Sequence, residues 1–216
     1  MEIDDPLLSP PPNLDRCFHQ GYVPAELLGR IWNYIQHEPQ PYHVKLRNGP
    51  VTTRPKVNFS IARHEGAYQI FSCYRWGQHG EDWTLIEEPP ACILELAQLV
   101  EKDFGLEQGH LNNMMLTFYF NGKDQFLPNH LDKAAGYQSK GKVENKSRIF
   151  NFSFGDSRSF VVTDFVSLGK SKREEMPTIY GDFAMEHGDM FVLQRDTNAT
   201  CAHGVPYEAA SASPWC

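Results

Sequence analysis

The sequence predicts an α+β fold in which helices come first and a β-sandwich or jelly roll follows. Apolar residues recur at helical spacing over 27–35 and again over 93–104, each run opening beside proline. From about residue 112 the apolar residues alternate instead, in short segments separated by glycine and polar turns. No internal repeat is visible, so helices followed by strands make one mixed domain.

In chain order, MEIDDPLLSPPPNLDR opens an irregular leader, assigned to residues 1–22, in which Pro6 and Pro10 to Pro12 forbid a helix. The leader is acidic and lacks the basic start and apolar run of a secretory signal, so a cytoplasmic or nuclear location is expected. Pro24 suits the first position of a helix whose packing face is Leu27, Leu28, Ile31, Trp32 and Ile35, and Pro39 and Pro41 stop it. Residues 42–88 carry no helical period and are rich in aromatic and basic residues, with Gly49-Pro50, Gly66 and Gly77 as turns, which suits short strands or hairpins. Those aromatics either stack a flat substrate beside Arg and Lys or fill a β-rich core. Pro89-Pro90 opens a second helix with Ile93, Leu96, Ala97, Val100 and Phe104 on one face and Gly105 at its C-terminal end.

Beyond Asp132, residues 133–147 are polar and read as a loop. RIFNFSF (148–154) alternates, with Phe150, Phe152 and Phe154 on one face and Ile149, Asn151 and Ser153 on the other. Gly155-Asp156 turns the chain, with Arg158 in the same GDSRSF turn, and Ser159 to Thr163 makes the next strand. Residues 166–182 read as a polar loop. Glu186 to Gln194 and Thr200 to Val205 read as two strands joined by a turn over Arg195 to Asn198.

The 216 residues suffice for one medium domain, and no run is long and apolar enough to span a bilayer, so no membrane partner is expected. The five cysteines are odd in number and scattered, without a C-x-x-C pair, which fits reduced, mostly buried thiols. A net charge of −7 argues against strong bulk-charge binding of nucleic acid. It leaves room for a local basic groove. Of three basic clusters, Lys45/Arg47 with Arg54/Lys56 is the best placed to touch a substrate; the others are Lys140/Lys142/Lys146/Arg148 and Lys170/Lys172/Arg173.

The chemistry concentrates in Leu116 to Asp132, an apolar strand, a Gly122 turn and then His130-Leu131-Asp132. On extended backbone, side chains at i and i+2 point the same way, so His130 and Asp132 present an imidazole and a carboxylate to one space. That is two-thirds of the 2-His-1-carboxylate set that holds non-haem Fe(II) and leaves other positions open. The only downstream histidines are His187 and His203. Each is followed by a glycine that lets a ligand approach, and physics alone does not choose between them.

The ordered set HxD, IFNFSFG, HGDM and HGV resembles the AlkB family of Fe(II)/2-oxoglutarate dioxygenases over about residues 89–206. More loosely, RPK followed by aromatics is similar to that family's substrate lid over 42–88. The resemblance implies a double-stranded β-helix (jelly-roll) core over 112–206, within a single domain spanning 23–216. It implies His130, Asp132 and His203 as iron ligands and makes His187 a turn residue. It implies that Tyr119 of FYFNG hydrogen-bonds 2-oxoglutarate, with Thr117 where the family pattern has asparagine. The family holds the far carboxylate with arginines after the distal histidine, yet no Arg or Lys follows His203. A sequence that is a fragment is the preferred explanation; another cation such as Arg158 or Arg195, or poor co-substrate binding, are the alternatives. The implied activity is oxidative demethylation of N-alkylated bases in DNA or RNA by a monomer using Fe(II), 2-oxoglutarate and O₂. Arg54, Lys56, Tyr68, Tyr74 and Trp76, with His64 also available, would contact the substrate. A 2-oxoglutarate oxygenase acting on protein or a small molecule, and a non-catalytic jelly-roll module with a vestigial metal site, remain open.

Overall fold

The computed structural model describes residues 13–38, 42–45, 51–60, 63–64, 67–68, 85–86, 89–111, 113–120, 125–130, 138–139, 142–143, 148–164 and 178–207. In chain order these form β1 (Phe18–His19), α1 (Ala25–His37), β2 (Tyr42–Lys45), β3 (Val51–Ser60), β4 (Arg63–His64), β5 (Ala67–Tyr68) and β6 (Leu85–Ile86). Then come α2 (Ala91–Asp103), β7 (Asn113–Thr117), β8 (Leu127–His130), β9 (Gln138–Ser139), β10 (Lys142–Val143), β11 (Ile149–Phe152) and β12 (Arg158–Asp164). The chain closes with β13 (Ile179–Met185), β14 (Met190–Leu193), α3 (Arg195–Thr200) and β15 (Cys201–Val205). The fold is mixed α/β with sheets that are antiparallel apart from the β3–β6 pair, an arrangement consistent with a jelly roll.

Both predicted helices form. Pro24 is the N-cap of α1, one residue earlier in its role than expected, because its extended ψ of 139° keeps it outside the helix. Helix α2 ends in a double backbone closure: Leu106 N–H donates to Glu101 O at 2.7 Å and Gly105 N–H to Lys102 O at 3.3 Å. That closure needs a left-handed residue after the cap, and Gly105 supplies it at φ 61°. Ile31 of α1 and Ile93 and Leu96 of α2 share a core with Val57 of β3 and Leu116 of β7.

Two sheets stack beneath the helices. One runs β1-β14-β11 and the other β13-β12-β15-β8. Alternation along β14 explains the layering. Phe191 and Leu193 pack with Phe160, Val162, Met185 and Cys201 of the second sheet. Met190 and Val192, on the opposite face, pack with Val100 of α2. The predicted two-faced reading of β11 holds in the same way. Phe150 and Phe152 lie toward α2, and Ile149 packs into the core between the sheets.

Several segments differ from the sequence reading. Residues 13–22 are not an irregular leader: Leu14 and Cys17 are buried, and Phe18 and His19 pair with Phe191 and Met190. Strand β7 pairs along β3 rather than with a strand of either stacked sheet, so it continues the 42–88 region. Arg158 begins β12 rather than sitting in the turn. Ile179 to Asp182 belongs to β13, not to a loop; β13 is an edge strand, with Ile179 61% exposed, so its pattern is not that of a core strand. Arg195 to Thr200 is the short helix α3 rather than a turn, seated by burial of Thr197 and Asn198. Glu186 to Asp189 is a turn and only Met190 to Leu193 is strand.

That EHGD turn ties the layers together. Asp189 is 2% exposed; its Oδ1 accepts from Gly21 N–H at 2.7 Å and its Oδ2 from Glu186 N–H at 2.8 Å. His187 Nδ1 accepts from Gly155 N–H at 3.0 Å, and its ring meets Trp32 of α1 edge-on at 5.2 Å. Asp189→Ala removes two charge-assisted bonds and is expected to destabilise the protein by about 3 kcal/mol in urea unfolding. Burial pushes the His187 pKa below the ordinary histidine value. Folding therefore favours the neutral ring. This contribution is complete above the unfolded pKa of about 6.5 and is lost as pH falls toward the folded value. Stability is expected to drop between pH 7 and pH 5, with a smaller drop in His187→Gln; equal pH profiles for the two proteins contradict this role.

Candidate metal centre

Strand β8 lies antiparallel to β15 with His130 directly opposite His203. Cross-strand partners share a face, so both imidazoles project to the same side, and their ring centroids are 4.5 Å apart. His203 also pairs with Val162 of β12, which places Val162, Phe160 and Arg158 on the face the histidines occupy. Phe160 lies nearly parallel to the His203 ring, at 5.7 Å and 24°, and Phe191 backs Phe160 at 4.9 Å. His203 is 2% exposed, whereas His130 is half-buried. The pair therefore stands at the edge of the core, one ring fixed by aromatic packing and the other reaching outward.

The donor chemistry suits a metal. His130 Nδ1–H donates to Pro128 O at 3.0 Å. A carbonyl only accepts, so this bond puts the proton on Nδ1 and makes Nε2 the nitrogen that carries the lone pair. Such a bond to the second ring nitrogen is what orients a ligating histidine. Two imidazoles at this separation can share one ion through bonds of about 2.1 Å. Asp132, the expected third ligand, lies outside the described residues. Among the described residues no group of three potential ligands gathers. His187 is in the EHGD turn against Trp32 and hydrogen-bonded to Gly155, as the turn reading has it.

Tyr119 and Thr117 stand at the end of β7. Thr117 is the last residue of the strand and pairs in register with Lys56 of β3. Tyr119 is half-buried and its ring lies under the Arg158 guanidinium, 5.3 Å from Cζ to the ring centroid. Of the expected substrate residues, Arg54 and Lys56 lie on β3 and Tyr68 on β5, where it pairs with Arg63. Tyr74 and Trp76 lie outside the described residues. The structure thus joins His130 to His203, Lys56 to Thr117 by register, and Tyr119 to Arg158. Phe160 and the contact between Arg158 and Tyr119 were missed. Ser159 to Thr163 was read as a strand, but nothing local shows that Phe160 shares a face with His203.

Gly204 makes the histidine pairing possible. The β8–β15 register shifts between His203 and Val205, and β8 presses onto residue 204. A Cβ there would lie 2.5 Å from Asn129 Oδ1 and 2.6 Å from Leu127 O. Asn129 is itself held by its Nδ2 donating to Thr163 Oγ1 at 3.2 Å, so it cannot give way cheaply. Gly204→Ala is expected to move β8 away from β15, lower Tm and weaken Co(II) or Fe(II) binding at least about tenfold, since a displacement near 1 Å disables a site. Unchanged metal affinity in that variant contradicts the geometry.

The family model of the 2OG-Fe(II) oxygenase superfamily matches residues 16–215, nearly the whole chain. No curated protein matches the chain significantly. With an antiparallel sheet presenting two facing histidines and a family match over this length, the chain belongs to the 2OG-Fe(II) oxygenase superfamily.

Proposed function

We propose that the protein is an AlkB-like Fe(II)/2-oxoglutarate dioxygenase that removes N-methyl groups from bases in DNA or RNA. The observation that carries the oxygenase part is the facing pair His130 and His203, 4.5 Å apart on adjacent antiparallel strands. The AlkB-like part rests on the order HxD, IFNFSFG, HGDM and HGV in the sequence. On this reading the stacked sheets are the halves of a double-stranded β-helix, and residues 42–88 form the substrate lid.

His130, Asp132 and His203 would hold Fe(II), an N,N,O set suited to that ion. Bound there, iron supplies the redox chemistry that couples decarboxylation of 2-oxoglutarate by O₂ to hydroxylation of a C–H bond. The balance is N–CH₃ + 2-oxoglutarate + O₂ → N–H + CH₂O + succinate + CO₂. The Tyr119 and Thr117 hydroxyls would donate to the co-substrate carboxylate. Phe160 and Phe191 keep water from the His203 side of the centre. Arg54 and Lys56 would face phosphates, while Tyr68, Tyr74 and Trp76 would stack an extruded base. A monomer acting in the cytoplasm or nucleus fits this role. The net charge of −7 leaves room for a second reading, hydroxylation of a protein or small molecule by the same centre.

Anaerobic addition of Fe(II) and 2-oxoglutarate is expected to give a visible charge-transfer band. No band means no oxygenase. With N-methylated oligonucleotides and O₂, formaldehyde release is expected. Succinate production without formaldehyde from any such substrate transfers the assignment to the second reading. Asp132→Ala should abolish turnover with the fold intact, and retained turnover removes Asp132 from the ligand set.

A further inference from the structure

Arg158 is only 7% exposed, and a buried guanidinium costs free energy unless its donors are used. Its Nη2 donates to Pro206 O at 3.1 Å and to Gln125 O at 3.4 Å. Pro206 immediately follows β15, which carries His203, and Gln125 stands just before β8, which carries His130. The same guanidinium lies over the Tyr119 ring at 5.3 Å, within cation–π range. One side chain therefore contacts the ends of both histidine strands and the tyrosine after β7.

We infer that Arg158 is a positioning residue for the co-substrate: a clasp that seats Tyr119 at a fixed place relative to His130 and His203. The inference rests on the proposed role of Tyr119 in holding 2-oxoglutarate. Tyr119 stands two residues beyond the end of β7. The planar, always-charged guanidinium suits the task, since one of its nitrogens reaches two carbonyls while the group lies over an aromatic ring. Lysine keeps the charge but lacks the flat face that lies over the ring. The Phe160 ring, two residues along the same face of β12, leaves the His203 orientation to a separate contact, so loss of Arg158 should loosen co-substrate binding more than metal binding.

The test is anaerobic titration of the full chain with 2-oxoglutarate in the presence of Fe(II), following the charge-transfer band, beside a separate Co(II) titration. Arg158→Lys is expected to raise the 2-oxoglutarate Kd at least about tenfold and to leave the Co(II) Kd within about twofold. In a Tyr119→Leu background the same substitution should change the co-substrate Kd by less than about twofold, because the residue acts through the ring. A penalty that persists undiminished without the Tyr119 ring overturns the proposal and makes Arg158 a direct contact of the co-substrate. Co-substrate and Co(II) affinities that fall together with Tm also overturn it, leaving a purely structural role. An Arg158→Lys protein that binds like wild type refutes the clasp alone, whereas a wild type that binds no 2-oxoglutarate refutes the oxygenase reading and the clasp with it. If Arg158→Lys does not fold, NMR of the wild type decides. The Arg158 Nε–H should carry an upfield ring-current shift that Tyr119→Leu removes, and a resonance unmoved by that substitution overturns the proposal.

Discussion

Antiparallel pairing of β8 with β15 is the contact on which the candidate centre depends. Cross-strand neighbours sit on one face by geometry, so the register that places His130 opposite His203 also points both rings into one space. A slip of one residue would send one imidazole to the opposite face of the sheet. The register is held by close backbone contact at Gly204 and by the Asn129–Thr163 hydrogen bond across to β12. The two ligands proposed to share an ion are far apart in the chain but adjacent in the ladder.

The rest of the fold makes that ladder rigid. The β1-β14-β11 sheet is packed on both faces, by α2 on one side and by the histidine-bearing sheet on the other. Phe191 of the first sheet presses on Phe160 of the second, and Phe160 presses on His203. The helix layer is fastened to this stack by the EHGD turn, where the buried Asp189 carboxylate holds the chain entering α1. The same turn accounts for the two downstream histidines having different fates. His187 meets Trp32 of the helix layer and caps a turn, while His203 lies in a central strand facing His130.

Much of this was legible because local pattern and structure agree. Both helices followed from the spacing of Leu27, Ile31, Ile93 and Leu96, and Gly105 marked the end of the second. The faces of β11 followed from the alternation of phenylalanines. His130 was readable as half of a candidate metal pair from the HxD spacing alone, whereas the preference for His203 over His187 came from the resemblance. What escaped depends on contacts distant in sequence. Pairing of Phe18 with Phe191 gives no local signal, nor does pairing of β7 with β3. Arg158 looked like a turn residue because Gly155 and Asp156 precede it, and its burial depends on carbonyls from the ends of two other strands. Helix α3 is six residues, five of them polar, and burial of Thr197 and Asn198, not periodicity, seats it. Ile179 to Asp182 was obscured by Gly181, in a strand that covers only an edge.

The central claim is that His130 and His203 bind one metal ion together, His130 through Nε2 while its Nδ1–H stays on Pro128 O. Proton NMR of the Co(II)-loaded protein tests it directly, because an imidazole N–H on a ligating ring is shifted far outside the ordinary window. Two solvent-exchangeable shifted N–H signals are predicted, one lost in His130→Ala and the other in His203→Ala, with the His130 signal exchanging slowly through its bond to Pro128. A Co(II) complex whose shifted signals survive both substitutions would place the metal elsewhere and contradict the account.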